Sequence, residues 1–178
     1  TGQLIPQLTS LIGDPDVDVR RSASDSLASL GMHIRPSDVE GLLLPAALRL
    51  SRSGTGGAEG GDSIGGGSDG AESEGEAQTQ AAEDLRITSS NLLADLASLP
   101  PPRMTPDLVS RRIVPAVLTL CSSSSSPSSE SSSPTAAATA NGFRVRRSAV
   151  QALPRVLASC PEADARDRVL PAFDALSR

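Results

Sequence analysis

The chain has 178 residues, 1% of them aromatic, and a formal net charge of −5. Its length is typical of one domain, and its core must be built from Leu, Val, Ile and Ala, which favours packing of helix on helix. All 16 basic residues are arginine, which excludes a lysine Schiff base and a phosphate-loop lysine. The chain begins at Thr1 and stops within the repeating pattern described below, so we expect it to be part of a longer protein.

Two landmarks recur along the chain and define a repeat. The first is an aliphatic residue followed by Pro, with Leu five positions after the Pro. It begins at Ile5, Leu44, Val114 and Leu170. The second is an aliphatic–Arg pair, followed by small or aliphatic residues at offsets of 4, 8 and 11, which lie on one face of a helix. It begins at Val19, Leu85 and Val145. Each repeat is therefore predicted to have two helices, the first kinked by its Pro.

The spacing of the landmarks sets the length of the repeat. Pro6 and Pro45 are 39 residues apart, and the later units fit the same period once insertions of 27, four and 17 residues are allowed. One helix pair cannot bury a core alone, so successive pairs are expected to stack. The sequence thus predicts an all-α fold, an α-solenoid (armadillo-type superhelix), with units at 1–36, 37–104 and 105–160 and a partial unit at 161–178.

In the first unit, an Asp-containing turn separates the Pro helix from the Arg helix. Gly31 is expected to end the Arg helix in a left-handed cap. The single histidine, His33, follows this Gly and is interpreted as an exposed or capping residue. Leu27 is predicted to lie in the core, as are Leu93 and Leu153 in the same register of the later units.

The second unit is interrupted by an acidic insertion. Ser37 and Glu40 have the spacing of a capping box at the start of its first helix. Residues 53–83 are rich in Gly, Ser and Glu, and they bury too little apolar surface to offset the entropy of ordering, so we predict that they are disordered. Ser73 has Glu76 three residues on, which suits an acid-directed kinase.

The third unit carries a Ser-rich insertion at 122–141, which is predicted to be disordered for the same reason. Ser126 and Ser133 each precede Pro and suit a proline-directed kinase. Tolerated loop expansion is the simpler interpretation of both insertions, and regulation by phosphorylation is the alternative. Cys121 and Cys160 lie in helical patterns and are expected to be buried free thiols.

The segment from Leu4 to Gly31, LIPQLTSLIGDPDVDVRRSASDSLASLG, resembles a HEAT repeat. It has Pro in the first helix, an Asp-containing turn, Val-Arg, Ala, Leu and a closing Gly. With Leu-Pro-Ala-Phe at 170–173 and Phe-Arg-Val-Arg-Arg at 143–147, the chain outside the insertions is similar to the scaffold A subunit of protein phosphatase 2A. It is also similar to regulatory subunit 1 of protein phosphatase 4.

The resemblance implies a non-catalytic scaffold or regulatory subunit whose partners are a phosphatase catalytic subunit and other regulatory subunits. In this family the turns between paired helices form a ridge that binds partners, and an Asp–Arg ladder joins neighbouring repeats. The residues predicted to form the ridge are Asp14, Asp16, Asp18, Arg20, Arg21, Arg86, Arg144, Arg146 and Arg147. Only the first turn has the Asp pattern, because the other two turns carry the insertions.

HEAT adaptors of other classes, such as nuclear transport receptors and cytoskeleton-binding arrays, have the same periodicity and remain an alternative. An enzyme is disfavoured, because one His and two separated Cys supply no zinc ligand set and the Gly-rich runs lack a phosphate-loop motif. No cofactor or metal is therefore predicted. Nucleic-acid binding would need more clustered arginines, and a membrane span would need about 18 apolar residues in a row. The expected location is the cytoplasm, with the nucleus as a second possibility.

Overall fold

The computed structural model describes residues 3–52, 71–122 and 136–176, and all regular secondary structure in them is helical. This confirms the predicted all-α class. We number the helices in chain order. They are α1 (Leu4–Leu11), α2 (Val17–His33), α3 (36–52), α4 (Ala71–Ala97), α5 (106–122), α6 (Ala136–Leu157) and α7 (162–176).

The helices α3, α5 and α7 share one internal irregularity. Each contains a π-helical segment that ends two residues before a proline. These segments are Val39–Leu43, Val109–Ile113 and Ala165–Val169. In α3 the backbone N–H of Leu44 donates to the carbonyl of Val39, five residues back. Proline cannot donate, and its ring collides with the carbonyl four residues back in an α-helix. The wider π turn accommodates the ring, so the helix continues through Pro45 in this way.

The described helices pack in two layers. We call the layer of α1, α3, α5 and α7 the A layer and that of α2, α4 and α6 the B layer. Neighbouring helices contact each other along each layer, and the pairs α1/α2, α3/α4 and α5/α6 pack across the layers. Equivalent helices of successive pairs therefore lie side by side, which brings equivalent positions of the repeat close together.

The core lies between the two layers, as the helical register predicts. Leu27, Leu93 and Leu153 are 0%, 0% and 3% exposed, which confirms their predicted burial. The small residue four positions before each of them is buried as well. The core is aliphatic, so its stability comes from close packing of Leu, Ile, Val and Ala side chains.

The described helices extend into both segments that were predicted to be disordered. α4 begins at Ala71 and takes in 71–83, whereas α5 ends at Ser122 and α6 begins at Ala136. Residues 71–83, 122 and 136–141 of the two predicted insertions therefore lie in helices, and the remaining 53–70 and 123–135 lie outside the described residues. Residues 71–83 are rich in Ala, Glu and Gln, which have high helix propensity. The prediction of disorder considered only the low hydrophobicity of the segment and not its helix propensity.

Gly31 has a different role from the predicted cap. It lies inside α2, which continues to His33. A Cβ atom at Gly31 would lie 2.9 Å from Cδ1 of Leu99 and 3.3 Å from Cδ2 of Leu43. The absence of a side chain therefore lets α2 approach its neighbours closely.

The starts of α3 and α5 are formed differently. α3 begins at Pro36, and no side chain caps it, so the predicted Ser37–Glu40 capping box is not formed. At α5, the hydroxyl of Thr105 accepts a hydrogen bond from the N–H of Leu108 at 3.3 Å. Pro106 occupies the first helical position there, where its missing N–H costs nothing.

Candidate protein-binding site

The turn between α1 and α2 is organised by its own aspartates. The carboxylate of Asp14 accepts a hydrogen bond from the N–H of Asp16 at 2.9 Å. Asp16 is the N-cap of α2 and accepts from the N–H groups of Asp18 and Val19 at 2.7 and 3.3 Å. Asp14 and Asp16 therefore shape the turn, whereas Asp18 is exposed.

Arg20 connects this turn to the next helix of the B layer. Its Nη1 donates to the carbonyls of Asp14 and Pro15, at 2.9 Å each. Its Nη2 lies 2.8 Å from Oδ2 of Asp84 in α4, and its side chain is only 10% exposed. A guanidinium group that is so far removed from water needs this full set of partners. Arg20 therefore supports the fold and offers little surface to another protein.

Asp84 links the three helices of the B layer. Besides Arg20 of α2, it contacts Arg144 of α6, whose Nη2 lies 3.3 Å from Oδ1 of Asp84. Within α4, Nε2 of Gln80 donates to the same oxygen at 3.0 Å. Asp84 thus joins the second helices of three successive pairs through Arg20 and Arg144. The described hydrogen bonds of Asp14 and Asp16 stay within the first turn, so the Asp–Arg ladder that the resemblance implies stays a prediction.

The repeat register explains why the same contact does not recur at the next pair. Asp84 lies two positions before Arg86, and the residue two positions before Arg146 is Arg144. The third unit therefore offers Arg86 no carboxylate at the position where the second unit offers one to Arg20. Arg146 is half-buried and forms no ion pair with any described residue, and Arg147 is exposed.

A second ion pair lies about three helical turns further along α4 and α6. Asp95 follows Asp84 by 11 residues, and Arg155 follows Arg144 by the same number. Nη2 of Arg155 pairs with Oδ1 of Asp95. The sequence analysis missed this pair, although the equal spacing of two acids on one helix and two arginines on the other could have indicated it.

A buried hydroxyl pair lies between these two ion pairs. The Oγ atoms of Ser90 in α4 and Ser148 in α6 are 2.8 Å apart. The sequence analysis did not single out either residue, because a serine on a helix gives no signal of its partner. Together with the ion pairs, this contact holds α4 and α6 in one register.

A groove of about 510 Å³ runs over α2 and α4 and reaches α6. We call it the B groove. Among the predicted ridge residues, Arg20, Arg21 and Arg144 line it, and α4 adds a polar stripe at helical spacing. The stripe consists of Asp84, Thr88, Asn91 and Asp95. Of the groove residues, Val17, Arg21, Asp25, Asn91 and Arg144 are exposed, so these side chains are the most accessible to a partner.

The other predicted ridge residues do not line this groove. Asp18 and His33 line a neighbouring hollow over α1 and α2. Arg21 and Asp25 line both this hollow and the B groove. None of Asp14, Asp16, Arg86, Arg146 and Arg147 lines the B groove. Three of the nine predicted ridge residues therefore line the B groove, and partner binding by the ridge stays a prediction.

The predicted phosphorylation sites have no described surroundings. The backbone of Ser73 lies in α4, and Ser126 and Ser133 lie outside the described residues. Modification of these three serines stays a prediction.

The described thiols and the histidine are placed for structural roles. Cys121 is buried, and this burial raises its pKa to about 11. Cys160 is half-buried in the turn after α6, not in a helix, and its pKa is raised mainly by burial. Both thiols therefore stay protonated near neutral pH and are weak nucleophiles. His33 is exposed at the end of α2, where its Nδ1 lies 2.9 Å from the carbonyl of Ser29.

The described residues were also searched for metal-binding groups and for membrane-spanning helices. No group of three or more His, Cys, Asp or Glu side chains in 3–52, 71–122 and 136–176 is arranged to hold a metal ion. In the same part of the chain, none of the helices combines the length and the apolar character that crossing a membrane requires.

The comparison with known families identifies the first helix pair. Residues 4–34 match the HEAT repeat. The matched segment spans α1, the Asp turn and α2, so it confirms the resemblance that the first unit carries. No curated protein and no solved structure matches the chain. HEAT repeats generally mediate contacts between proteins, so the first unit indicates an interaction scaffold.

Proposed function

We propose that the protein is a non-catalytic, protein-binding scaffold of the α-solenoid type and that the B groove is its docking face. The observation that carries this proposal is the linkage of α2, α4 and α6 through Asp84. It holds the walls of the groove in one arrangement before a partner binds. A preorganised surface loses less conformational entropy on binding than a flexible one.

The exposed side chains of the groove define the kind of contact it can make. Arg21 and Asp25 on α2 carry opposite charges, and Asn91 on α4 has both a donor and an acceptor. Mixed polar groups along two parallel helices suit an extended or helical segment with matching charges.

At a finer level, we propose a scaffold or regulatory subunit of a serine/threonine phosphatase of the 2A or 4 type. This proposal is supported by the resemblance of the repeat and of segments 143–147 and 170–173 to those subunits. Its partners would be a phosphatase catalytic subunit and other regulatory subunits, in the cytoplasm and also in the nucleus. The scaffold would position such partners and would perform no chemistry itself.

Purified components can test both levels. Binding of the full chain to the purified catalytic subunits of protein phosphatases 2A and 4 is measured by calorimetry, with the double variant Arg21→Ala/Asn91→Ala. We expect one catalytic subunit to bind and the double variant to weaken that binding about tenfold or more, as loss of well-placed interface contacts does. Arg35→Ala, at an exposed arginine outside the groove, is the matched control and should bind like the wild type.

The outcomes separate the coarse proposal from the fine one. Binding of tubulin or of a nuclear transport factor instead of a phosphatase subunit, with the same sensitivity to the groove variant, would retain the docking face and replace the partner class. Equal binding by the double variant and the wild type would exclude the B groove. Turnover of a phosphoester or peptide substrate by the isolated chain would contradict a non-catalytic role.

A further inference from the structure

The A layer has a groove of its own, between α3 and α5, with a volume of about 410 Å³. We call it the A groove. Four arginines line it, and no acidic residue does so among the described part of the chain. These arginines are Arg49, Arg52, Arg111 and Arg112. The groove therefore concentrates positive charge, although the chain as a whole has a net charge of −5.

The arginines reach the groove in pairs, one pair from each helix. Arg49 and Arg52 follow Pro45 of α3 by four and seven residues, whereas Arg111 and Arg112 precede Pro115 of α5 by four and three. Both prolines also line the groove. The positive charge of the groove therefore comes from both of its walls, and on the α5 wall Arg111 and Arg112 can each engage a carboxylate of one ligand.

The pair on α5 remains accessible to a ligand. Nε of Arg111 lies 2.8 Å from Oδ1 of Asp107, one turn earlier, and these side chains are 74% and 67% exposed. A solvated pair of this kind is worth only about 0–1 kcal/mol, and it occupies one of the five N–H donors of the guanidinium group. Arg112 is exposed as well. A carboxylate ligand can therefore bind here without breaking a strong internal contact.

The remaining lining favours a peptide over a simple anion. Leu48 and Ala116 lie beside the two prolines and give the groove an apolar floor. Planar guanidinium groups match the geometry of carboxylates and bind them through two parallel hydrogen bonds. An acidic peptide offers both parts, carboxylates for the arginines and aliphatic stems or backbone for the floor.

We propose that the A groove binds an acidic peptide segment of a partner protein, through at least two of its Asp or Glu side chains. The groove lies in the layer opposite to the B groove and has no residue in common with it. The inference therefore goes beyond the proposed docking face and does not depend on it.

The test uses the full chain and a fluorescent peptide of alternating Glu and Ala, with the corresponding Gln–Ala peptide as the uncharged comparison. Anisotropy is recorded for the wild type, Arg49→Glu and Arg112→Glu. Arg147→Glu, at an exposed arginine of the B layer, is the matched control. Circular dichroism shows whether each variant is folded, which we expect because all three substituted arginines are exposed.

A second set of titrations tests whether acidic residues of the chain itself compete with the peptide for the groove. Segment 53–69 follows Arg52 directly and contains Glu59, Asp62 and Asp69 without any basic residue. The titrations are repeated with Glu59→Gln, Asp62→Asn and Asp69→Asn combined. Binding of the Glu peptide to the chain with or without these three substitutions supports the proposal, because both experiments measure carboxylate binding by the same groove.

We expect the Glu peptide to bind, the Gln peptide to bind at least tenfold more weakly, and each groove variant to lose about tenfold in affinity, which corresponds to one charge-assisted contact. The control should stay within about twofold. Absence of binding in both arms would overturn the proposal. So would equal losses for Arg147→Glu and Arg112→Glu, or equal binding by single-stranded DNA of the same charge, since these results indicate nonspecific attraction.

Discussion

The two contacts within the B layer, α2 with α4 and α4 with α6, occupy equivalent places in the repeat but differ in chemistry. The first has an ion pair at one end, between Arg20 and Asp84. At the other end lies Gly31, where a Cβ atom would approach Leu96 of α4, Leu99 just after α4, and Leu43 of α3. The second has ion pairs at both ends and a buried hydroxyl pair between them. One contact thus depends on the absence of a side chain, and the other on matched polar groups.

This difference shows how a repeating core can hold distinct neighbours. Apolar residues such as Leu27, Leu93 and Leu153 fill the same position in every pair and carry no information about which pair comes next. The residues around them do carry it, because a glycine or a charge fits only one neighbour. Polar contacts of this kind contribute modestly to stability, and they specify register.

The largest effect should come from the part of the core that both contacts share. Leu93 is fully buried in α4, and Leu93→Ala should lower the free energy of unfolding by about 2–5 kcal/mol, because it leaves a cavity. Chemical denaturation monitored by circular dichroism measures the change. Leu42→Ala, at a side chain that is 44% exposed, should change stability much less, and a loss as large as that of Leu93→Ala would contradict the assigned register.

Gly31→Val should disturb the packing of α2 against α3 and the C-terminal end of α4, and leave the α4–α6 contact intact. The new side chain would collide with Leu99 and Leu43, and such overpacking costs about 1–3 kcal/mol. Gly41→Ala is the matched control, since a Cβ atom there meets nothing within 4 Å. A thermal melt in which both variants behave alike would show that close approach at Gly31 is unimportant.

Asp84→Asn should weaken both contacts at once. It removes the negative charge that faces Arg20 and Arg144, and charge-assisted hydrogen bonds of this kind contribute about 1.5–3 kcal/mol in total when partly buried. Hydrogen exchange should increase at the adjacent ends of α2 and α6. Asp107→Asn, in an exposed pair, provides the comparison, and protection that is unchanged in α2 would show that the Arg20 pair contributes nothing.

Arg155→Ala should affect only α4–α6, by about 0–1 kcal/mol, because Arg155 is 47% exposed and its pair with Asp95 is partly solvated. Differential scanning calorimetry at low and high salt can measure this change in stability. The difference from wild type should shrink at high salt. A salt-independent loss would mean that the Arg155 side chain acts through packing.

Glu83 gives the smallest effect, one that depends on pH. Its buried Oε2 has no hydrogen-bond partner in the described residues, and desolvation raises its pKa above 4.5 in spite of the opposing charges of Arg144 and Arg86. The folded state therefore favours the protonated acid, and this contribution is full below pH 4.5 and is lost as the pH rises through the folded pKa. Glu83→Gln should raise Tm at pH 7 and leave it nearly unchanged at pH 4. A variant with lower Tm at pH 7 would contradict this sign.

Much of the fold could be predicted because helical periodicity is local. A residue's offset from Val19, Leu85 or Val145 places it on the buried or the exposed face without knowledge of any partner. The Asp turn and the capping by Asp16 involve residues close in sequence, and the match of 4–34 to the HEAT repeat depends on that same short range. The position of each Pro within the first helix of its pair could be predicted for the same reason. The π-helical segments that accommodate these prolines could not be predicted.

Only the tertiary structure decided which polar residues meet and which surfaces they leave open. Asp84 contacts Arg20 and Arg144 across 64 and 60 residues of chain. The four arginines of the A groove come from α3 and α5, which the Gly-rich segment 53–70 and α4 separate along the chain. Such contacts depend on how the helix pairs stack, and the composition of one segment does not determine that stacking. Gly31 is the clearest case, because the same residue suits a helix end or a close helix contact, and the presence of Leu99 and Leu43 beside it decided between them.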